Sequence, residues 1–193
     1  SRGLGDVYKR QIMMGTQRNV AAFPPYREII VVVPNLDYRG KTYMWFPKLY
    51  LDNQGAVDAG IAFFGFPKVY AEMDHTDEGF ELYGSDDSSV LSAQVELDAA
   101  RMNRGAHYQE LMALLSQPML LIRMGLISCS SFLMDLDNEE LTPANVELDV
   151  NAGFMPELPG FSTALQNINV ARFGSFYMNH AFWRVPSTGG PCR

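Results

Sequence analysis

Residues 26–54 read YREIIVVVPNLDYRGKTYMWFPKLYLDNQ, and the fold follows from how this stretch divides. Residues 27–33 are a β-branched run closed by Pro34, a strand by composition. Asn35 to Gly40 supplies turn residues, and 41–51 is again rich in Tyr, Trp, Phe and Leu, so the two halves predict an antiparallel hairpin. Asp52-Asn53-Gln54-Gly55 can cap a helix, and 56–64 is a short apolar helix with Gly65 just past its end. Pro67 forces Phe66 out of helical space, so 68–73 leaves as a strand.

Further strands are predicted at 78–83, 90–97, 119–127, 132–136, 145–150 and 175–185. One amphipathic helix over 106–115 interrupts them, with Leu111, Leu114 and Leu115 at helical spacing. Many strands, few helices and short turns indicate a mainly β (α+β) fold. The expected architecture is a curved antiparallel sheet closing into a barrel, with one or two short helices.

The 193 residues carry 15 basic and 22 acidic side chains, a net charge of −7. At this length one domain is expected, burying roughly 70% of the unfolded chain's surface. Apolar residues at 47% and charged residues at 19% exclude a disordered chain or a charge-laced coiled coil. The longest apolar stretches, 29–34 and 119–122, fall far short of the ~20 residues that span a bilayer, so no membrane association is expected. The acidic balance argues against nucleic acid, which is bound through clustered Lys and Arg. Neither Cys129 nor Cys192 sits in a metal-ligand spacing, and the expectation is two free thiols in a reducing, cytoplasmic setting. With only His75, His107 and His180, and no HxH or HxxxH pair, no metal site is expected.

Both ends look foreign to the fold. Residues 1–11 carry Arg2, Lys9 and Arg10 against Asp6 and lack the apolar core of a secretion signal; they read as an artefactual leader. The domain is placed at 12–185, and the Gly- and Pro-rich segment 186–193 as a flexible tail.

Phe-Pro-Lys occurs twice, at Phe46-Pro47-Lys48 and Phe66-Pro67-Lys68, in a chain with only four lysines against eleven arginines. Lys48 lies mid-strand in aromatic company. Lys68 is held at a helix-to-strand junction by a helix stop, a ring that fixes φ, and the apolar Phe63, Phe64, Phe66 and Val69. A lysine enclosed this way loses hydration, which disfavours the ammonium and favours a neutral amine able to attack a ketone. The residues alone equally allow a lysine whose stem packs and whose tip reaches water.

Residues 26–68 resemble the acetoacetate decarboxylase family. The likeness is carried by Tyr26-Arg27-Glu28, Val33-Pro34, Gly40-Lys41-Thr42-Tyr43, Leu49-Tyr50-Leu51-Asp52-Asn53, Ala56-Val57 with Gly60, and Gly65-Phe66-Pro67-Lys68. A weaker likeness runs through 143–159, and the whole covers about 12–185. The resemblance implies that Lys68, not Lys48, forms a Schiff base with a small keto acid, and that the iminium accepts electrons as CO₂ departs. This family is a standing example of a lysine activated by desolvation or a neighbouring cation, so that mechanism is inherited from the likeness. It also implies that Glu28 orients polar groups around the amine and manages protons, with Phe66 and Tyr26 in the pocket wall. For Glu28 the plainer alternative is a surface carboxylate, and for the two aromatics simple core packing.

Three features depart from the family pattern. Val69 stands where its decarboxylases often carry a second lysine. The family's arginine and glutamate upstream of Tyr-x-Glu have no clear counterpart, although Ile12-Met13-Met14 reads as a remnant of the strand that would hold the glutamate. Trp45, Phe46 and Pro47 give the hairpin a bulkier face, which implies a different substrate. Three readings therefore stand: a decarboxylating Schiff-base lyase, an aldolase or dehydratase on pyruvate-like keto acids using the same lysine, or a non-catalytic small-ligand-binding barrel. No cofactor is expected, because the lysine itself is the electron sink, and a homo-oligomer is implied. Ser128, Ser130 and Ser131 around Cys129 form no GxSxG elbow, and no Gly-rich phosphate cradle is present.

Overall fold

The computed structural model describes residues 11–18, 23–76, 78–97, 113, 116–123, 126–130, 133–135, 141–158, 175–178, 182–184 and 192. The first elements are β1 (Gln11–Gln17), β2 (Tyr26–Tyr38), β3 (Lys41–Leu51), α1 (Gln54–Ala59), a π-helical turn Gly60–Phe64, β4 (Lys68–Tyr70) and β5 (Met73–Thr76). They are followed by β6 (Gly79–Tyr83), β7 (Ser89–Leu97), β8 (Met119–Arg123) and β9 (Leu126–Ser130). The last are β10 (Leu133–Asp135), β11 (Leu141–Val150), β12 (Ser175–Met178) and β13 (Phe182–Arg184). The helix expected over 106–115 lies outside the described residues apart from Ala113, as do the leader before Gln11 and the tail apart from Cys192.

The predicted hairpin is β2–β3, but its turn is shorter than the sequence suggests. Tyr38 pairs with Lys41, and Arg39 and Gly40 between them have φ of 55° and 75°. Two positive φ values in succession make a type I′ turn, whose twist matches that of the flanking strands. Pro34 does not end β2. It sits where the pairing shifts between Val33 and Leu36, next to Asn35 at φ 55°, a bulge that needs no N–H from the proline. A second shift, between the pairs Val31–Lys48 and Val33–Trp45, puts Phe46 and Pro47 of β3 against Val32 alone.

The fold is mainly β, and its sheets are mixed rather than wholly antiparallel. One sheet runs β1-β2-β3-β8-β9, with β4 also paired to β3. Both β4 and β8 are parallel to β3. For β4 the reason is the helical crossover: α1 and the π-helical turn carry the chain back, so β4 starts in the same direction as β3. A second sheet, β12-β11-β7-β6-β5, is antiparallel, and β10 pairs with β13. Residues 119–127, expected as one strand, belong to two: Arg123 of β8 pairs antiparallel with Leu126 of β9.

Two apolar clusters lie on the two sides of the first sheet. Tyr26, Ile30, Val32, Phe46, Leu49, Leu51 and Phe66 gather with Ala56 and Val57 of α1. Ile29, Val31 and Tyr50 point the other way, onto Met73, Phe80, Leu82, Leu91, Phe154 and Met155. Burial on both sides is why residues 29–32 form an unbroken apolar run instead of alternating.

Cys129 and Cys192 form a disulfide, which corrects the expectation of two free thiols. The two residues are 63 apart in the chain, so no local spacing announced the pair, and the thiol argument for a reducing compartment falls away. Among the described residues no helix is long and apolar enough to cross a membrane.

The side chain of Asn53 accepts a hydrogen bond from Ala56 N–H at 3.0 Å and so caps α1. Asn53→Ala is expected to lower stability by about 1 kcal/mol, measured by urea unfolding. An unchanged midpoint would show that the cap contributes nothing.

Candidate active site

Strand register builds the site. Glu28 of β2 lies opposite Leu51 of β3, and Lys68 opens β4 beside Leu49 of β3. Leu49 and Leu51 belong to the same buried cluster, so Glu28 and Lys68 flank β3 on one side of the sheet. Their backbones are two strand spacings apart, roughly 10 Å. The long lysine stem closes the gap, and its Nζ stands 3.3 Å from Glu28 Oε1. Their side chains are 9% and 6% exposed.

Local chemistry fixes the lysine end. Gly65 terminates the π-helical turn at φ 69°, a left-handed conformation that suits glycine. Pro67 then presents its carbonyl to Leu49 N–H at 3.1 Å, which sets the register of Lys68. The Phe66 ring is buried against Phe64 and Phe46, with centroid distances of 5.6 and 6.1 Å. Lys68 Nζ lies 5.8 Å from the Phe66 centroid.

At the acid end, Gln17 of β1 donates from Nε2 to Glu28 Oε2 at 3.3 Å. Burial pushes the Glu28 carboxyl above its ordinary value. The charge and hydrogen bond of Lys68, and the hydrogen bond from Gln17, oppose the shift without cancelling it. Tyr26, two residues before Glu28 and itself buried, has its phenol pushed up by burial and by the Glu28 carboxylate, so it stays a proton donor. Gly15 pairs with Glu28 from β1, and a β-carbon there would meet nothing among the described residues within 4 Å.

All four residues singled out from the sequence, Lys68, Glu28, Phe66 and Tyr26, meet on this side of the sheet. Two of the apolar neighbours expected around Lys68 do not. Phe63 is 62% exposed, since the wider π-helical turn points it outward, and Val69 packs into the opposite cluster because neighbouring strand residues face opposite ways. A side chain at 69 therefore faces away from the Lys68 amine. Lys48 lies opposite Val31, on the other side of the sheet, where its Nζ meets Glu157 Oε1 at 2.6 Å. With Glu157 half exposed, that pair contributes at most about 1 kcal/mol. Gln17 was missed by the sequence reading; its place on the Met13 side of β1 was the available signal. Among the described residues no group of three or more His, Cys, Asp or Glu could hold a metal ion.

The pair is hard to explain as a stabilising device. Removing two ions from water costs several kcal/mol each, and apolar residues of similar size are often as stable in their place. A buried carboxyl paired with a buried amine is instead the kind of arrangement that functional sites favour, which makes this pair the candidate active site.

The family model for acetoacetate decarboxylase (ADC) matches residues 10–123, more than half of the 193-residue chain. The chain belongs to the acetoacetate decarboxylase family. Its fold is similar to that of a solved acetoacetate decarboxylase from Legionella pneumophila: TM-score 0.66 at 14% identity, covering 93% of this chain and 72% of that one. A second solved acetoacetate decarboxylase matches with TM-score 0.54 at 14% identity, over 74% of this chain and 61% of the other. The enduracididine biosynthesis enzyme MppR, solved with the condensation product of pyruvate and imidazole 4-carboxaldehyde, matches with TM-score 0.52 at 12% identity. That match covers 72% of this chain and 58% of MppR, so the chain spans about three fifths of the length of these last two proteins. No curated protein matches it in sequence. The fold is mainly β, and the candidate Lys68 opens the strand that follows the helical crossover.

The raised Glu28 carboxyl has a measurable consequence. From 4.5 up to its shifted midpoint the folded state holds a proton that the unfolded state has lost, so stability from this group falls as pH rises through that window. Melts of wild type and Glu28→Gln between about pH 4 and 7 are expected to show wild type losing stability relative to the variant as pH increases. Parallel profiles would mean the carboxyl is not perturbed.

Proposed function

We propose that the protein is a Schiff-base carbon–carbon lyase that decarboxylates a small β-keto acid at Lys68. The observation that carries this reading is the buried amine 3.3 Å from a buried carboxyl, with an aromatic ring beside it. The free amine of Lys68 adds to the ketone, and loss of water leaves an iminium. The bond to the carboxylate breaks, CO₂ leaves, and the electron pair passes to the iminium nitrogen, giving an enamine. Protonation at carbon and addition of water then release the ketone and return the amine. Glu28, with its carboxyl raised, takes and returns protons at the nitrogen and the carbinolamine oxygen. The protonated Tyr26 phenol orients polar groups beside it, and Phe66 shields the amine from water. The chemistry needs no cofactor, since the iminium is the electron sink.

A second reading is aldol or dehydration chemistry on a pyruvate-like keto acid. It is favoured by the shared fold with MppR, whose structure holds a pyruvate condensation product, and by the same lysine serving either reaction. Around this site we read the sheets as parts of a closed barrel, in a homo-oligomer as the family likeness implies.

Borohydride added with acetoacetate is expected to fix an adduct on the Lys68 peptide, read by mass spectrometry. Lys68→Ala removes that adduct and Lys48→Ala leaves it. Glu28→Gln is expected to slow turnover by about 10²–10⁴-fold. An adduct confined to Lys48 would overturn the proposal. Release of CO₂ from acetoacetate supports the first reading, and a condensation product from pyruvate and an aldehyde without CO₂ supports the second.

A further inference from the structure

Gly60 opens the π-helical turn with right-handed helical dihedrals, φ −62° and ψ −39°. Nothing in that backbone requires glycine, and glycine weakens a helix relative to alanine. The residue is buried, so the reason lies in space. A β-carbon at position 60 would stand 2.4 Å from Lys68 Cδ, 2.6 Å from Cε and 3.2 Å from Nζ, the three nearest atoms. The lysine stem therefore lies across the bare Cα of Gly60 on its way to Glu28.

The seat is tied to the residues it serves. The Gly60 carbonyl accepts from Phe66 N–H at 3.2 Å and shares the Gly65 N–H with the Ile61 carbonyl, so the C-terminal end of the π-helical turn closes onto its first residues. Lys68 N–H in turn donates to the Phe66 carbonyl at 2.8 Å. Wide turns of this kind recur at functional sites, where the inserted residue alters what the helix presents.

We propose that Gly60 is a positioning residue: its missing side chain is the groove that lays the Lys68 amine against Glu28. The catalytic consequence rests on the Schiff-base reading, whereas the groove itself does not. Because the atoms that would clash belong to a flexible side chain, a methyl group at 60 displaces the amine rather than the backbone. Gly60→Ala is expected to stay folded but to melt below wild type, since the helical gain from alanine does not offset the buried Glu28 carboxyl losing its partner. Its Lys68 should be reductively methylated several-fold faster in the folded protein, with Lys48 unchanged as the internal reference. Trapping by acetoacetate and borohydride should slow by about a hundredfold, the scale on which misplacement by about 1 Å acts.

A folded Gly60→Ala protein that methylates and traps like wild type would overturn the proposal. If wild type traps no ketone, the Schiff-base reading fails while the methylation contrast still decides the groove. If Gly60→Ala does not fold, the Gly60→Ala/Lys68→Ala double variant decides: recovered folding locates the clash at Lys68, and persistent unfolding places it elsewhere and refutes the assignment.

Discussion

The contact between Lys68 and Glu28 exists only because β3 runs antiparallel to β2 and parallel to β4. Antiparallel pairing sets Glu28 opposite Leu51, and parallel pairing sets Lys68 beside Leu49, two residues back on the same side of β3. A shift of one residue in either register would turn one partner to the other side of the sheet. The devices on either flank of the pair all serve this alignment: the I′ turn at Arg39-Gly40, the Asn53 cap, the left-handed Gly65 and the Pro67 carbonyl.

Charge burial then gives the alignment its chemical meaning. The first sheet is covered on both sides, so any polar group in its middle strands loses water. Most positions there answer with apolar side chains. Glu28 and Lys68 do not, and each is the other's main electrostatic compensation, with Gln17 holding the second carboxylate oxygen. The carboxyl still ends above its ordinary value, because attraction by one amine does not offset full desolvation. A carboxyl raised in this way keeps its proton to a higher pH than an exposed carboxylate does.

The two Phe-Pro-Lys segments show how backbone irregularity overrides a motif. At 66–68 Phe66 and Lys68 reach the same side two residues apart, the period of a strand, although Lys68 N–H closes a tight turn onto the Phe66 carbonyl. At 46–48 the register shift around Pro47 breaks that period, so Phe46 faces the site and Lys48 emerges on the opposite side beside Glu157. Identical tripeptides thus place one lysine in the site and the other in a half-exposed ion pair.

Local chemistry alone determined much of this chain: the β2–β3 hairpin, the capped helix, the stop at Gly65 and the exit at Pro67 are all written in neighbouring residues. Each depends on steric limits within four or five residues, which is why they are legible without a structure. The family likeness singled out Lys68, Glu28, Phe66 and Tyr26, and the structure gathers these four on one side of the first sheet. Other features required the folded chain. The parallel partners of β3, the bulges at Pro34 and Pro47, the Gln17 contact, the outward Phe63 and the Cys129–Cys192 bond all join or orient residues distant in sequence. Their energetics come from burial and register, quantities that one segment acquires only when another packs against it.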